Sequence, residues 1–232
     1  MWRRAPLLSF ALLVTACAAD VVTSTSPPSA TSAAVDPRPL PVAGNLSVGS
    51  YSLGGFPVAV AFDIPAFEPP AEWFSCSESA VEQSACHSST PNTIVAVAFQ
   101  IVDNVVADPC AGRETPELLD PPVGPGVDDL VTAISSLQGY QATAPVDITV
   151  SGFDGIEFTL TAPDRDGCGS TWATADRTTG MGPGEINLLR ILDVDGVRVM
   201  ISGAYRAETP EAELNALQQV IDSVQIEPHA RP

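Results

Sequence analysis

The sequence predicts an α+β domain: an antiparallel β-sheet with amphipathic helices packed on it. Two kinds of observation predict it, a pair of hairpins and a pair of amphipathic helices. Val146–Val150 and residues 156–160 alternate apolar with other residues around Gly152-Phe153-Asp154-Gly155. Residues 186–193 and 197–205 do the same across Asp195-Gly196, a pair favoured in tight hairpins. Val127, Leu130, Val131, Ile134 and Leu137 recur at helical spacing, with Asp128 and Asp129 at the positive end and Gly139 at the exit. Thr209-Pro210-Glu211 reads as a second helix start, a capping hydroxyl followed by a proline at the first position, with Leu214, Leu217, Ile221 and Val224 as its buried face. Hairpins interrupted by two such helices argue against a doubly wound parallel sheet.

From the N-terminus, Met1-Trp2-Arg3-Arg4 is a basic start, and residues 7–16 are an apolar run ending at Cys17. At about 1.5 Å per residue that run reaches about half of a ~30 Å hydrocarbon core, so it is too short to span a bilayer and fits a secretory signal over residues 1–16. Val14-Thr15-Ala16-Cys17 is similar to a bacterial lipobox, in which the thiol receives diacylglycerol before cleavage. Cys17 is therefore the expected lipidation site, and two acyl chains hold a protein at a membrane where one does not. The residues around Arg3-Arg4 do not follow a twin-arginine motif. Residues 17–43 then read as the lipidated cysteine and a disordered tether dense in Ser, Thr, Pro and Ala, which lack the apolar mass for a core. That composition also suits O-glycosylation.

Residues 44–228 are expected to form one secreted domain and 229–232 a tail. Residues 46–53 and 58–64 read as strands, the second with Val58, Val60, Phe62 and Ile64 on one face, and Pro65 ends the pairing. Residues 69–91 read as a loop carrying Trp73 and Phe74, residues 94–102 as a central apolar strand, and Gln225-Ile226 as a closing strand.

With Cys17 acylated, Cys76, Cys86, Cys110 and Cys168 remain, an even number that implies two disulfides among three connectivities in an oxidising compartment. Cys76 with Cys86, closing a short polar loop, and Cys110 with Cys168, tying the middle of the chain to a distant loop, are favoured. Cys86-His87 belongs to no CxxC or HExxH pattern, and the other histidine, His229, is near the end, so the sequence offers no tetrahedral zinc set.

All ten cationic side chains are Arg, against 28 acids. Loss of Arg3 and Arg4 with the signal leaves 8 − 28 = −20. That charge disfavours nucleic acid, whose affinity comes from neutralised phosphates, and disfavours a domain lying flat on anionic lipid.

Motifs that carry chemistry are scarce. Asp164-Arg165-Asp166-Gly167 opens like a calcium loop but has Ala175 at the twelfth position, so a turn is expected, as it is at Asp193 and Asp195. Gly180-Met181-Gly182-Pro183-Gly184 lacks the spacing of a dinucleotide loop, and neither a P-loop nor GxSxG occurs. An imidazole-activated nucleophile would have to use His87 or His229. Trp73, Trp172, Tyr140 and Tyr205 are candidates for either core packing or a glycan or peptide groove. Arg190 and Arg198 interrupt apolar strands, as paired charges or as a functional face.

Ala107-Asp108-Pro109-Cys110, Pro121-Pro122-Val123-Gly124-Pro125 leading into Val127-Asp128-Asp129-Leu130-Val131, residues 144–150 and residues 191–196 together resemble the secreted domains of actinobacterial lipoproteins of the Mog1/PsbP-like and LpqN-type groups, over roughly residues 94–227. The resemblance implies an antiparallel sheet flanked by helices and attachment to the cell envelope. It carries no shared catalytic motif. The expectation is thus a membrane-anchored extracytoplasmic lipoprotein whose domain binds an envelope protein or glycan ligand, without catalysis and without a cofactor or metal. The alternative is a carboxylate-dependent hydrolase or transferase acting on envelope glycan or lipid, and a spacer or assembly role is a third possibility.

Overall fold

A computed structural model of the chain describes residues 36–66, 72–83, 86, 94–112 and 115–227. Cys17, the signal, residues 18–35 of the tether, His87 and His229 lie outside the described residues. The first strands are β1 (Arg38–Pro39), β2 (Gly44–Leu46), β3 (Gly49–Ser52), β4 (Ala59–Ile64), β5 (Trp73–Ser77), β6 (Ala80–Gln83), β7 (Ala96–Gln100) and β8 (Asn104–Val105). Helix α1 (Val127–Ser135) follows, then β9 (Gln141–Ala142), β10 (Val146–Val150), β11 (Phe153–Thr161), β12 (Ser170–Ala173), β13 (Thr178–Gly180), β14 (Glu185–Val194) and β15 (Val197–Arg206). Helix α2 (Glu211–Asp222) and β16 (Gln225–Glu227) close the described chain.

The strands form a nine-stranded sheet of order β10-β11-β14-β15-β7-β6-β5-β2, with β9 also on β11, a four-stranded sheet β1-β3-β4-β16 and a three-stranded sheet β13-β12-β8. This is a β-rich fold, and it corrects the α+β, Mog1/PsbP-like expectation. The two helices are nine and twelve residues long and cover only part of the large sheet. Sheet against sheet buries much of the rest. Residues 73–83, assigned to a loop by sequence, are the hairpin β5–β6, and Ser170–Ala173 with Thr178–Gly180 adds strands that have no apolar run to announce them.

Alternation along the central strands sorts the core into two halves, because successive side chains point to opposite faces of a sheet. Val97 and Phe99 of β7, Val199 and Ile201 of β15 and Leu192 and Val194 of β14 pack with Val60, Phe62 and Ile64 of β4 and with Leu217, Val220 and Ile221 of α2. Phe62 stacks on Phe99 with ring centroids 5.2 Å apart, joining the two sheets. At Gly203 on β15 a β-carbon would meet the Ile221 side-chain tip, which rests in the space the glycine leaves open between α2 and the sheet. On the opposite face, Leu189 and Ile191 of β14, Met200 of β15 and Phe158 and Leu160 of β11 pack under Leu130, Val131 and Ile134 of α1.

Several local expectations change. Arg38–Pro39 pairs with β3 and Leu40 is buried, so the end of the segment assigned to the tether belongs to the fold. The β10–β11 turn is Ser151-Gly152, both at positive φ (53° and 86°), with Phe153 and Asp154 already in β11; Asp195-Gly196 turns in the expected place. The Thr209 hydroxyl does not cap α2, whose N-cap is Pro210; it accepts the Arg206 backbone N–H at 3.0 Å and fixes the loop instead.

Candidate functional site

The face of the large sheet that carries α1 changes character along its length. Under α1 the inward positions of β14 are Leu189 and Ile191; two and four residues earlier they are Asn187 and Glu185. The same strip of β15 reads Ser202 and Ala204, and that of β7 reads Ala96, Ala98 and Gln100. Strand register aligns these side chains. One row across the sheet is Glu82, Ala96, Ala204 and Asn187, and the next is Ala80, Ala98, Ser202 and Leu189.

Small residues at the centre of both rows leave a hollow. Strands lie about 4.8 Å apart, so Glu82 and Asn187 stand on backbones about 14 Å apart, with alanines as the floor between them. The β12–β13 layer supplies Trp172, Thr178 and Thr179 to the walls, and Arg177 lies just before β13. The hollow is open on one side and has a volume of about 360 Å³, enough for a small organic molecule.

The polar groups here are held in place and mostly buried. Glu185, Asn187, Gln100 and Ser202 are each less than 9% exposed. Glu185 Oε2 accepts the Gly182 backbone N–H at 2.8 Å, and its Oε1 accepts an Asn187 amide hydrogen at 2.7 Å. The glycine-rich segment at 180–184, which has no dinucleotide spacing, thus serves to wrap this carboxylate. Trp172 donates its indole N–H to Gln100 Oε1 at 2.6 Å.

Burial pushes the Glu185 carboxyl above its usual range. The Gly182 and Asn187 donors and the nearby Arg206 guanidinium oppose that rise, and the negative charge of Glu82 adds to it. Behind the carboxylate, the Tyr140 hydroxyl is pushed up to about 12, by burial first and then by the charge of Glu185. Two carboxylates therefore share one cavity and repel each other.

The other residues singled out from sequence fall elsewhere. Trp73 is fully buried in the core between the sheets and Tyr205 packs against that core; Tyr140 is buried beneath α1, and only Trp172 of the four also walls the cavity. Arg190 joins Glu157 of β11 at 2.7 Å and Asp222 of α2 at 2.8 Å, a paired charge. Arg198 clamps backbone carbonyls of Val102, Gly124 and Gly126 and so fixes the approach to α1. Asp193 accepts the Gly196 N–H at 2.7 Å within its hairpin turn. Cys76 pairs with Cys86 and Cys110 with Cys168. Cys76 reaches the cavity wall.

Two further hollows adjoin these elements. One, of about 580 Å³, runs along Gly54 to Phe56 and Ile101 to Asp103 and shares Gln100 and Arg177 with the first. The other lies beside the Cys110–Cys168 disulfide, between Asp108, Glu117 and Ser170. Neither gathers buried polar side chains as the alanine-floored cavity does.

Sequence reasoning missed Glu82, Gln100, Glu185, Asn187 and Ser202. The available signal was the run Glu185-Ile186-Asn187-Leu188-Leu189, in which one face of an otherwise apolar strand turns polar for two successive inward positions. No protein-family model matches the chain, and no curated protein matches it by sequence.

Proposed function

We propose that the chain is an exported lipoprotein, held at the extracytoplasmic face of the cell membrane by diacylglycerol on Cys17, whose domain binds a small ligand in the Glu185 cavity. The basic start, the short apolar run and the lipobox-like Val14-Thr15-Ala16-Cys17 support export and anchoring. Two disulfides in the domain suit an oxidising compartment. The likeness of motif order to actinobacterial lipoproteins supports the same location.

The observation that carries the binding reading is the convergence of four buried polar side chains on a hollow floored by alanines. Strand interiors ordinarily fill such positions with large apolar side chains, as β14 itself does at Leu189 and Ile191. Ala98→Leu tests the reading by filling the floor. After equilibration of the full chain with envelope extract, native mass spectrometry should detect a bound small molecule that this variant lacks. Equal capture by both proteins counts against the cavity.

A second reading is a hydrolase or transferase working through carboxylates. It is favoured by Glu82 and Glu185 lining the same cavity, with Glu185 pushed towards the protonated form that a general acid needs. Turnover of an envelope glycan or lipid that disappears in Glu185→Gln, while binding persists, would select it.

A further inference from the structure

We propose that the Glu185 cavity takes an uncharged, hydroxyl-rich ring of the size of a neutral hexose. This rests on the reading of the cavity as a ligand site and goes further, to the chemistry that its walls recognise.

The charges around the hollow are already answered. Both Glu185 oxygens accept hydrogen bonds, one from the Gly182 backbone N–H and one from the Asn187 amide, and the Arg206 guanidinium lies nearby. Glu82 stands at the partly exposed side with an interaction of its own, and Arg177 is exposed at the rim. A charged ligand would give up its water in the hollow without meeting an unanswered buried counter-charge.

The hydrogen-bonding capacity that is left belongs to neutral side chains, and it is mixed. The Trp172 indole can only donate, which fixes the Gln100 amide with its oxygen towards β12; both N–H groups of that amide are without a partner among the described residues. Asn187 has committed one N–H to Glu185 and keeps the other, together with its carbonyl oxygen. The hydroxyls of Ser202 and Thr179 each donate and accept, and Thr179 Oγ1 is buried without a partner among the described residues. Gln100, Asn187 and Ser202 line the hollow and are each less than 9% exposed.

Such a set matches hydroxyl groups, which also donate and accept. Two adjacent ring hydroxyls present the donor and the acceptor that the N–H and C=O of one carboxamide complement, and Asn187 offers that pair. The alanine floor and the Trp172 wall give apolar contact for the C–H face of a ring. A volume of about 360 Å³ suits one ring and little more.

Matched trios that differ in charge test this. The full chain in detergent is titrated near neutral pH, by ligand-observed magnetic resonance, with glucose, galactose and mannose, each beside its amino sugar and its uronate. In at least one trio the neutral sugar should bind about tenfold tighter than both charged members, because only it enters without stripping water from a charge. Ala98→Leu should abolish that binding. Ser202→Ala and Thr179→Val should each weaken it by about three- to tenfold, the worth of one hydrogen bond. Neither hydroxyl donates to another described residue, so both variants spare the fold, which circular dichroism checks. Arg177→Gln should leave it unchanged. A neutral preference that survives both hydroxyl variants overturns the proposal, as does tightest binding of an amine or a uronate; either result, if abolished by Ala98→Leu, keeps the ligand cavity. Binding of none of the sugars, or binding that Ala98→Leu does not touch, also overturns the hexose. Capture from envelope extract then decides the cavity separately: a molecule held by wild type and lost in Ala98→Leu keeps it, and equal capture ends both.

Discussion

Trp172 on β12 and Gln100 at the end of β7 meet through one buried hydrogen bond, indole N–H to side-chain carbonyl at 2.6 Å, and that bond fastens the small three-stranded sheet over the large one. Trp172 is 2% exposed and Gln100 7%. Gln100→Leu leaves the donor unsatisfied and should cost about 1–3 kcal/mol in urea unfolding. Adding Trp172→Phe removes the orphaned donor, so the double variant should be less destabilised than the sum of the singles. Strict additivity would mean that the two side chains do not depend on each other.

Glu185 makes stability depend on pH with a defined sign. Its folded-state pKa is raised above the ordinary value of 4.5, so the native protein holds this proton more tightly than the unfolded chain. The contribution is fully present below about 4.5, fades as pH climbs through the folded value, and leaves an uncompensated penalty above it. Arg206, Glu82 and Tyr140 are the charged or titratable groups acting on this carboxyl or responding to it, and Arg177 shares its cavity. Glu185→Gln keeps the shape and removes the titration. Its stability relative to wild type should improve as pH rises from 4 to 8, measured by urea unfolding at each pH; parallel curves would remove Glu185 as the source.

Much of the architecture could be read from residues whose pattern is local. The β14–β15 hairpin follows from ten-residue alternation and Asp195-Gly196, and α1 from the spacing of Leu130, Val131 and Ile134. The β5–β6 hairpin could not be read this way, because Ser75, Cys76, Glu82 and Gln83 look like a loop until long-range partners are known. Ser75 is fully buried and gives its hydroxyl to the Pro41 carbonyl, a contact across 34 residues. The fold is richer in strand than the α+β expectation for that reason: strands built from polar residues are invisible to hydropathy. The cavity was hidden more deeply still. Its floor is assembled from alanines at 96, 98 and 204, each unremarkable in its own strand, and only the register that aligns β7 with β15 makes them one surface.

Arg198 offers a test of how the start of α1 is held. Its guanidinium donates to the carbonyls of Gly124 at 2.5 Å, Val102 at 2.7 Å and Gly126 at 3.0 Å, a fork that joins β15 to the end of the β7 segment and to the residues leading into α1. Lysine carries the same charge but cannot reach three divergent carbonyls at once. Arg198→Lys should cost about 1–3 kcal/mol, because the partly buried contacts to Gly124 and Val102 lose their charged donor. Amide exchange at Val127 to Leu130 should accelerate more than at α2. Uniform acceleration across both helices would assign the effect to global stability alone.

Tyr140 is a place where removing a polar group should help. Its hydroxyl is buried with no hydrogen-bond partner among the described residues, while its ring packs beneath α1. An unsatisfied buried hydroxyl carries its desolvation cost without return, whereas the ring keeps its apolar contacts in Tyr140→Phe. The variant should be as stable as wild type or more stable by on the order of 1 kcal/mol near neutral pH. The alkaline limb gives an independent check. The hydroxyl is pushed from 10.0 to about 12 in the folded protein, so wild type loses stability as pH passes from about 10 towards 12, where the unfolded chain ionises and the folded one resists. Tyr140→Phe should show less of that loss, keeping only the part from Tyr205, whose hydroxyl burial also pushes upward. Destabilisation of the variant at neutral pH would mean that the hydroxyl makes a bond that holds this end of the α1 core.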